Sequence, residues 1–100
     1  MSDHVHVLSL LRALPERERA LAAHLELIRD QSLSAPGCVA YQVMQQSDDD
    51  RRWVIHETSI NAAVLDDHLL EPYMQDFFDE LSKLVEDIDT RLLIEPLQSR

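Results

Sequence analysis

Residues 34–68 constrain the fold of this chain more than any other part of the sequence. Pro36 and Gly37 form a turn signal, and two runs typical of β-strands follow at 38–46 and 53–60. The acidic segment S-D-D-D-R between the two runs predicts a hairpin turn. Asn61 stands where its side chain can cap a helix that carries His68. This stretch therefore predicts a β-hairpin that leads directly into a helix.

The N-terminal third predicts a strand followed by a helix. Residues 4–13 are rich in Val and Leu, and Pro15 suits the first turn of a helix. The helix is predicted over 16–31, because apolar residues recur there at helical spacing and form one stripe for burial. The stripe consists of Leu21, Leu25 and Ile28.

The C-terminal third predicts two helices and a last strand. A short helix covers 61–70, Pro72 starts the next helix, and residues 89–97 predict an edge strand that ends near Pro96. The second helix has the clearest apolar stripe in the chain. That stripe consists of Met74, Phe77, Phe78, Leu81 and Leu84.

This element order predicts an α+β fold of the ferredoxin-like βαββαβ type, with two short helices at the second helical position. In such a fold the helices cover one side of a four-stranded antiparallel sheet. Both faces of the predicted strands carry apolar residues, and the helices can cover only one face. We therefore expect the other face to pack against a second copy of the chain, which predicts a homodimer.

Composition limits the possible partners. One hundred residues predict a single domain over 1–100 with its core at about 4–97. The net charge of -10 argues against nucleic-acid binding, because the phosphate backbone is also negative. No apolar run approaches the roughly 20 residues that span a bilayer, so no membrane partner is expected. The N-terminus lacks a secretory pattern, which predicts a cytoplasmic protein. Cys38 is the single cysteine and is interpreted as a packing residue.

Three motifs resemble the antibiotic biosynthesis monooxygenase family. They are P-G-C-x-x-Y at 36–41, Glu57 at the end of the next strand, and A-x-L-x-x-H at 63–68. The resemblance implies a dimeric α+β barrel. It also implies oxidation of a small aromatic or quinol substrate by molecular oxygen, with no flavin, haem or metal cofactor. The substrate then supplies the electrons, and the protein supplies a dry pocket and a base.

Glu57 and His68 are the candidate catalytic residues. Glu57 shares a strand face with apolar side chains, where burial favours a carboxylate that acts as a base. His68 shares a helix face with Leu65 and is expected to point inward. Each also has a structural interpretation: Glu57 as a partner of backbone N–H groups or Arg91, and His68 as a hydrogen-bonded core residue.

The predicted ligand pocket contains seven further residues. Alternation places three of them on the strand face of Glu57, and two aromatic residues of the last helix are expected as walls. His4 and His6 share a strand face, but two ligands are too few for a metal site, so no metal is predicted. The pocket residues are His6, Trp53, Ile55, Ser59, Leu65, Tyr73 and Phe77.

Three positions depart from the pattern of the family. Ser59 stands where tryptophan is common, Ile55 stands where some quinone-forming members have asparagine, and Tyr73 replaces the histidine of a Pro-His pair. The residues at His68 and Phe78 also differ from those of the haem-degrading branch. Two alternatives therefore stay open: a non-catalytic dimer that binds a small ligand or regulates, and an isomerase that uses the same pair for proton transfer.

Overall fold

The computed structural model describes residues 3–97. The helices and strands follow one another along the chain in the order βαββααβ, as the sequence predicts. They are β1 (Val5–Ala13), α1 (Glu18–Leu33), β2 (Cys38–Gln45), β3 (Arg52–Ser59), α2 (Ala62–Leu69), α3 (Pro72–Leu81) and β4 (Val85–Ile94).

The four strands form one antiparallel sheet in the order β2-β3-β1-β4. The β1 strand lies next to β3, and β4 forms the edge beyond β1. This order and the crossovers through the helices confirm the ferredoxin-like α+β fold. Among residues 3–97, no helix is long and apolar enough to cross a membrane.

The core lies between the sheet and the helices. Leu11 and Ala13 of β1 and Leu21 and Leu25 of α1 are fully buried there. Because side chains alternate along a strand, the residues between them point to the opposite face. That face exposes Leu10, Met44 and Leu93 by 39%, 48% and 43% of their surface. One face of the sheet is therefore covered by helices over β1, β2 and β3, and the other presents apolar side chains.

Local signals place the helices that follow the hairpin. The Asn61 side chain accepts a hydrogen bond from the Val64 backbone N–H at 2.8 Å, which confirms the predicted cap of α2. Pro72 occupies the first turn of α3. Gly37 has a φ angle of 80°, a left-handed conformation that glycine adopts without strain.

Three predicted details were wrong. The last strand begins at Val85 rather than at residue 89, because pairing with β1 sets its position and most of its side chains are exposed. Pro15 lies in a turn, and α1 begins at Glu18 after Arg17 N–H bonds to the Leu14 carbonyl at 3.0 Å. The apolar stripe of α3 outlasts the helix, since Leu84 is buried beyond its last residue.

Candidate active site

The most distinctive polar contact of the core joins Glu57 and His68. The His68 Nδ1 atom lies 3.2 Å from the Glu57 Oε1 atom. Glu57 is 5% exposed and His68 is 6% exposed. Arg91, the alternative partner considered for Glu57, pairs instead with Asp89 at 3.0 Å. The two candidate catalytic residues are therefore in direct contact inside the protein.

Strand pairing places Glu57 in the middle of the sheet. Glu57 is opposite Val7 of β1 on one side and opposite Tyr41 of β2 on the other. Its carboxylate therefore projects from the centre of the sheet toward the helices. A carboxylate at such a position requires a hydrogen-bond donor, and His68 provides one.

The α2 helix places His68 above Glu57. The helix follows β3 after two residues, and Asn61 caps its first turn. Leu65 and His68 are the buried residues of this helix, so both point inward as the helical spacing predicts. With Glu57 ionised, the Nδ1–H group of His68 donates to the carboxylate, because a carboxylate oxygen can only accept.

Glu57 lines an apolar cavity between the sheet and the helices, which we call the inner cavity. Its volume is about 260 Å³. The hydroxyl groups of Ser9 and Thr90 lie 3.2 Å apart in its wall and form a second polar contact surface beside Glu57. The wall is formed by Val7, Ser9, Leu11, Tyr41, Ile55, Glu57, Leu69, Met74, Phe77, Phe78, Leu81, Ile88, Thr90 and Leu92.

A second cavity, the outer cavity, lies among the end of α1, the loop that follows it, α2 and the start of α3. Its volume is about 470 Å³, and His68 forms part of its wall. The Glu57–His68 pair therefore stands between the two cavities, with Glu57 on the inner side and His68 on the outer side. The wall is formed by Gln31, Ser34, Ala35, Pro36, Val64, Asp67, His68, Glu71 and Tyr73.

The charge of Glu57 affects several neighbouring groups. Burial raises the pKa of the Tyr41 phenol, and the charge of Glu57 raises it further. Burial and then Glu57 likewise raise the pKa of the Cys38 thiol. For Tyr73, the pKa is raised by burial, then by Glu71, then by Glu57. These groups stay protonated near neutral pH, so Tyr41 can donate a hydrogen bond and Cys38 is not a thiolate nucleophile.

The predicted pocket residues divide into distinct groups. Ile55 and Phe77 line the inner cavity with Glu57, whereas Tyr73 lines the outer cavity, with its ring centroid 5.8 Å from that of His68. Ser59 and Leu65 are buried but line neither cavity. Trp53 packs against the core and lines neither cavity either.

His6 does not reach either cavity. Because β1 pairs Val7 with Glu57, His6 is opposite Thr58 and projects from the other face of the sheet. There its Nδ1 atom lies 2.9 Å from His56 Nε2, and its Nε2 atom lies 2.8 Å from Glu95 Oε2. Within residues 3–97, no group of three or more His, Cys, Asp or Glu side chains is arranged to hold a metal ion.

Several residues of the inner cavity were missed from the sequence. Ser9 and Val7 line it because they alternate with His6 along β1 and project from the face opposite to that of His6. Thr90 and Leu92 line it from β4, the strand whose beginning was misplaced. Leu11 and Ala13 are the buried residues of β1, and alternation from them places Ser9 and Val7 on the same face, toward the cavity.

Comparisons with known proteins agree with this architecture. The family described as antibiotic biosynthesis monooxygenase matches residues 4–80. An uncharacterised protein of Synechocystis sp. is 25% identical over 83 residues, which cover 83% of this chain and 56% of that protein. The chain therefore spans little more than half the length of this curated relative.

Two solved structures share the fold along almost their full length. SnoaB, a cofactor-independent oxygenase from Streptomyces nogalater, superposes with a TM-score of 0.87 at 14% identity, covering 96% of each chain. A protein of Pseudomonas aeruginosa superposes with a TM-score of 0.88 at 21% identity, covering 97% of this chain and 98% of its own. Because the family match covers most of the described residues, the chain belongs to the antibiotic biosynthesis monooxygenase family.

Proposed function

We propose that this protein oxidises a small aromatic phenol or hydroquinone with molecular oxygen in the inner cavity, without flavin, haem or metal. One observation carries the proposal: a buried carboxylate, Glu57, is held by His68 at 3.2 Å in the wall of an otherwise apolar cavity. The cavity of about 260 Å³ is open. Its size is close to the lower end of ligand pockets, roughly 300 Å³, which suits a substrate of one or two rings.

Glu57 acts as the base in this proposal. A phenol placed against its carboxylate loses its proton, and the phenolate gives an electron to oxygen far more readily than the neutral phenol. His68 donates its Nδ1–H to Glu57 and fixes the direction of the carboxylate. Apolar side chains surround Glu57, and the low polarity that they create strengthens this interaction.

The Ser9–Thr90 hydroxyl pair supplies a second polar contact. A hydroquinone carries two hydroxyl groups on opposite sides of its ring. One can contact Glu57 and the other the Ser9–Thr90 hydroxyl pair, since both lie in the cavity wall. The apolar rings of Phe77 and Phe78 complete the wall. The substrate supplies every electron: one hydroquinone and one O₂ give one hydroxyquinone and one water.

The family membership and the function of one structural neighbour support the same reaction class. SnoaB is described as a cofactor-independent oxygenase, and its fold matches 96% of this chain. Identity to SnoaB is 14%, so this likeness supports the fold and not the choice of substrate. Ile55, Ser59 and Tyr73 depart from the pattern of the family. The set of polar groups near this site therefore differs from that of typical family members.

A homodimer is the assembly proposed for this activity. The sheet face opposite the helices exposes Leu10, Met44 and Leu93, which a second copy would bury. The same face carries Arg12 and Asp89, and charges of both signs suit a surface that pairs with itself. A sheet-to-sheet contact of this kind leaves the inner cavity on the far side of each sheet.

Oxygen consumption tests the proposed reaction. Purified protein in metal-free buffer is given a panel of one-ring and two-ring hydroquinones, and oxygen uptake is compared with the spontaneous rate. The proposal predicts protein-dependent uptake with one ¹⁸O atom from ¹⁸O₂ in the product. Uptake no faster than the spontaneous rate over the whole panel would refute it. Substrate conversion that continues without oxygen would assign the pair to an isomerase, and saturable binding without conversion would assign the protein to ligand binding.

A further inference from the structure

Tyr41 brings an unpaired hydroxyl group to the wall of the inner cavity. Its side chain lines this cavity and the residue is 6% exposed. The hydroxyl group makes no hydrogen bond to any other residue among 3–97. Its oxygen atom keeps accessible surface, in contrast to the enclosed and also unpaired Nε1 atom of Trp53. A buried tyrosine hydroxyl usually has a hydrogen-bond partner, and a ligand in the cavity can supply the missing acceptor.

Strand pairing places Tyr41 beside Glu57. The two residues are directly opposite each other on β2 and β3, so their side chains leave the sheet on the same face, and Cβ atoms in such pairs lie about 5 Å apart. The charge of Glu57 is also the second cause, after burial, of the raised pKa of Tyr41. The phenol therefore stays protonated at neutral pH and can donate, whereas an ionised Glu57 can only accept.

The order of the strands separates this donor and acceptor from the other polar group of the cavity. Tyr41 and Glu57 belong to β2 and β3, whereas Ser9 and Thr90 belong to β1 and β4, which follow β3 in the sheet. A ring with hydroxyl groups at both ends can therefore place one oxygen atom against Tyr41 and Glu57 and the other beside the Ser9–Thr90 hydroxyl pair.

A carboxylate alone is a weak base for a phenol. The ordinary pKa values are about 10 for a phenol and about 4 for a carboxyl group, so the proton transfer is unfavourable by several powers of ten. A hydrogen bond to an ionised oxygen is stronger than one to a neutral oxygen. A donor at the phenolic oxygen therefore stabilises the phenolate more than the phenol and makes the transfer easier.

We propose that Tyr41 is a catalytic residue of the inner cavity: its O–H group donates a hydrogen bond to the substrate oxygen atom from which Glu57 removes the proton. The O–H bond of the substrate breaks, an O–H bond forms on Glu57, and Tyr41 keeps its own proton. This inference rests on the proposed function, because it uses Glu57 as the base. It adds the group that stabilises the phenolate.

The ionisation of a bound phenol measures this hydrogen bond without any turnover. The probe is 3,4,5-trifluorophenol, whose ¹⁹F NMR signals shift when the hydroxyl group loses its proton. The bound probe is titrated with pH in nitrogen-saturated buffer, in the parent protein and in Tyr41→Phe, which keeps the ring and removes the donor. The pKa of the bound probe should be higher by about 1–2 in Tyr41→Phe, the change expected for loss of one hydrogen bond to an ionised oxygen.

Glu57→Gln should change the same pKa in the opposite direction. It removes a negative charge beside the probe, so the phenolate forms more easily and the pKa of the bound probe should fall. Ser32→Ala is the control for loss of a buried hydroxyl, because Ser32 Oγ is buried without a partner among residues 3–97 and lines neither cavity. Asp66→Asn is the control for loss of a charge, because Asp66 is exposed on α2 and lines neither cavity. Both controls should leave the pKa of the bound probe unchanged.

A second measurement uses the parent protein and needs no folded variant. The chain has two tyrosines, and both are labelled with ¹³C at the ring carbon that bears the hydroxyl group. The signal of Tyr41 should shift saturably as the probe is added and shift further as the bound probe ionises. The signal of Tyr73, which lines the outer cavity, is the internal reference and should respond less.

The outcomes distinguish this inference from the proposed reaction. A higher pKa of the bound probe in Tyr41→Phe, without oxygen uptake by the parent protein, would keep Tyr41 as the donor and refute the monooxygenase. Oxygen uptake together with equal pKa values in the parent protein and Tyr41→Phe would keep the reaction and overturn the role of Tyr41. A Tyr41 signal that does not respond to the probe up to roughly 10 mM would overturn it as well.

Discussion

Gly37 lies so close to Val64 that a Cβ atom built on it would stand 2.4 Å from Val64 Cγ1. Gly37 also accepts the Ile60 backbone N–H at 3.0 Å. The turn before β2 is thereby packed against α2, the helix that carries His68. One glycine thus helps to set the position of one member of the Glu57–His68 pair.

Gly37→Ala should lower the free energy of unfolding by about 1–3 kcal/mol, because the new Cβ overlaps Val64 and the φ angle of 80° strains any other residue. Urea unfolding measures the change. The double variant with Val64→Ala removes the 2.4 Å contact and leaves the strain, so part of the loss should return. A single variant within about 0.5 kcal/mol of the parent would contradict this packing.

Stability should depend on Tyr41 in alkaline solution. Burial raises the folded pKa of this phenol above its ordinary value of 10.0, so its contribution is complete below pH 10. Above pH 10 the unfolded chain loses the proton while the folded chain retains it, and the free energy of unfolding falls by about 1.4 kcal/mol per pH unit. Unfolding of Tyr41→Phe should show a shallower fall. Identical pH profiles would show that Tyr41 does not cause the effect.

Leu10→Arg should separate the proposed dimer. Leu10 is on the exposed sheet face, where a second copy would bury it, and an unpaired charge at such a position is unfavourable. Light scattering should give about twice the chain mass of 11.5 kDa for the parent protein and one chain for the variant. Leu33→Arg, at an exposed position at the end of α1, is the control and should stay dimeric. A monomeric parent protein would remove the proposed sheet-to-sheet contact.

Thr90→Val tests the second polar contact of the inner cavity. The change keeps the shape and removes the hydroxyl that lies 3.2 Å from Ser9 Oγ. If this pair orients the substrate before the reaction, KM should rise about three- to tenfold with kcat almost unchanged. Steady-state oxygen uptake separates the two constants. A large fall in kcat at constant KM would instead place Thr90 in the chemical step.

The hairpin, the capped helix and the buried pair could be predicted because their signals are local. Asn61 accepts the backbone N–H of Val64 within its own helix, and alternation along β3 puts Glu57 and Ile55 on one face. The spacing of Leu65 and His68 turns both inward. Each inference needed only a few neighbouring residues.

The missed features depend on pairing between distant segments. The side of β1 that faces the cavity is set by the pairing of Val7 with Glu57, which a single sequence does not reveal, and a shift of one residue reverses every side chain. The β4 strand was misplaced because exposed edge residues show little hydrophobic alternation. The outer cavity arises where four segments meet, so no local pattern predicts it.

The turnover of Glu57→Gln with a hydroquinone that the parent protein oxidises tests the central claim most directly. Glutamine keeps the shape of the side chain and removes the base, so the rate of oxygen uptake should fall about 10²-fold or more while the variant stays folded. His68→Ala should reduce the rate in the same way, and Asp66→Asn should not. Full activity in Glu57→Gln and His68→Ala, together with a lowered melting temperature in both, would contradict the account and leave the pair as a structural contact of the core.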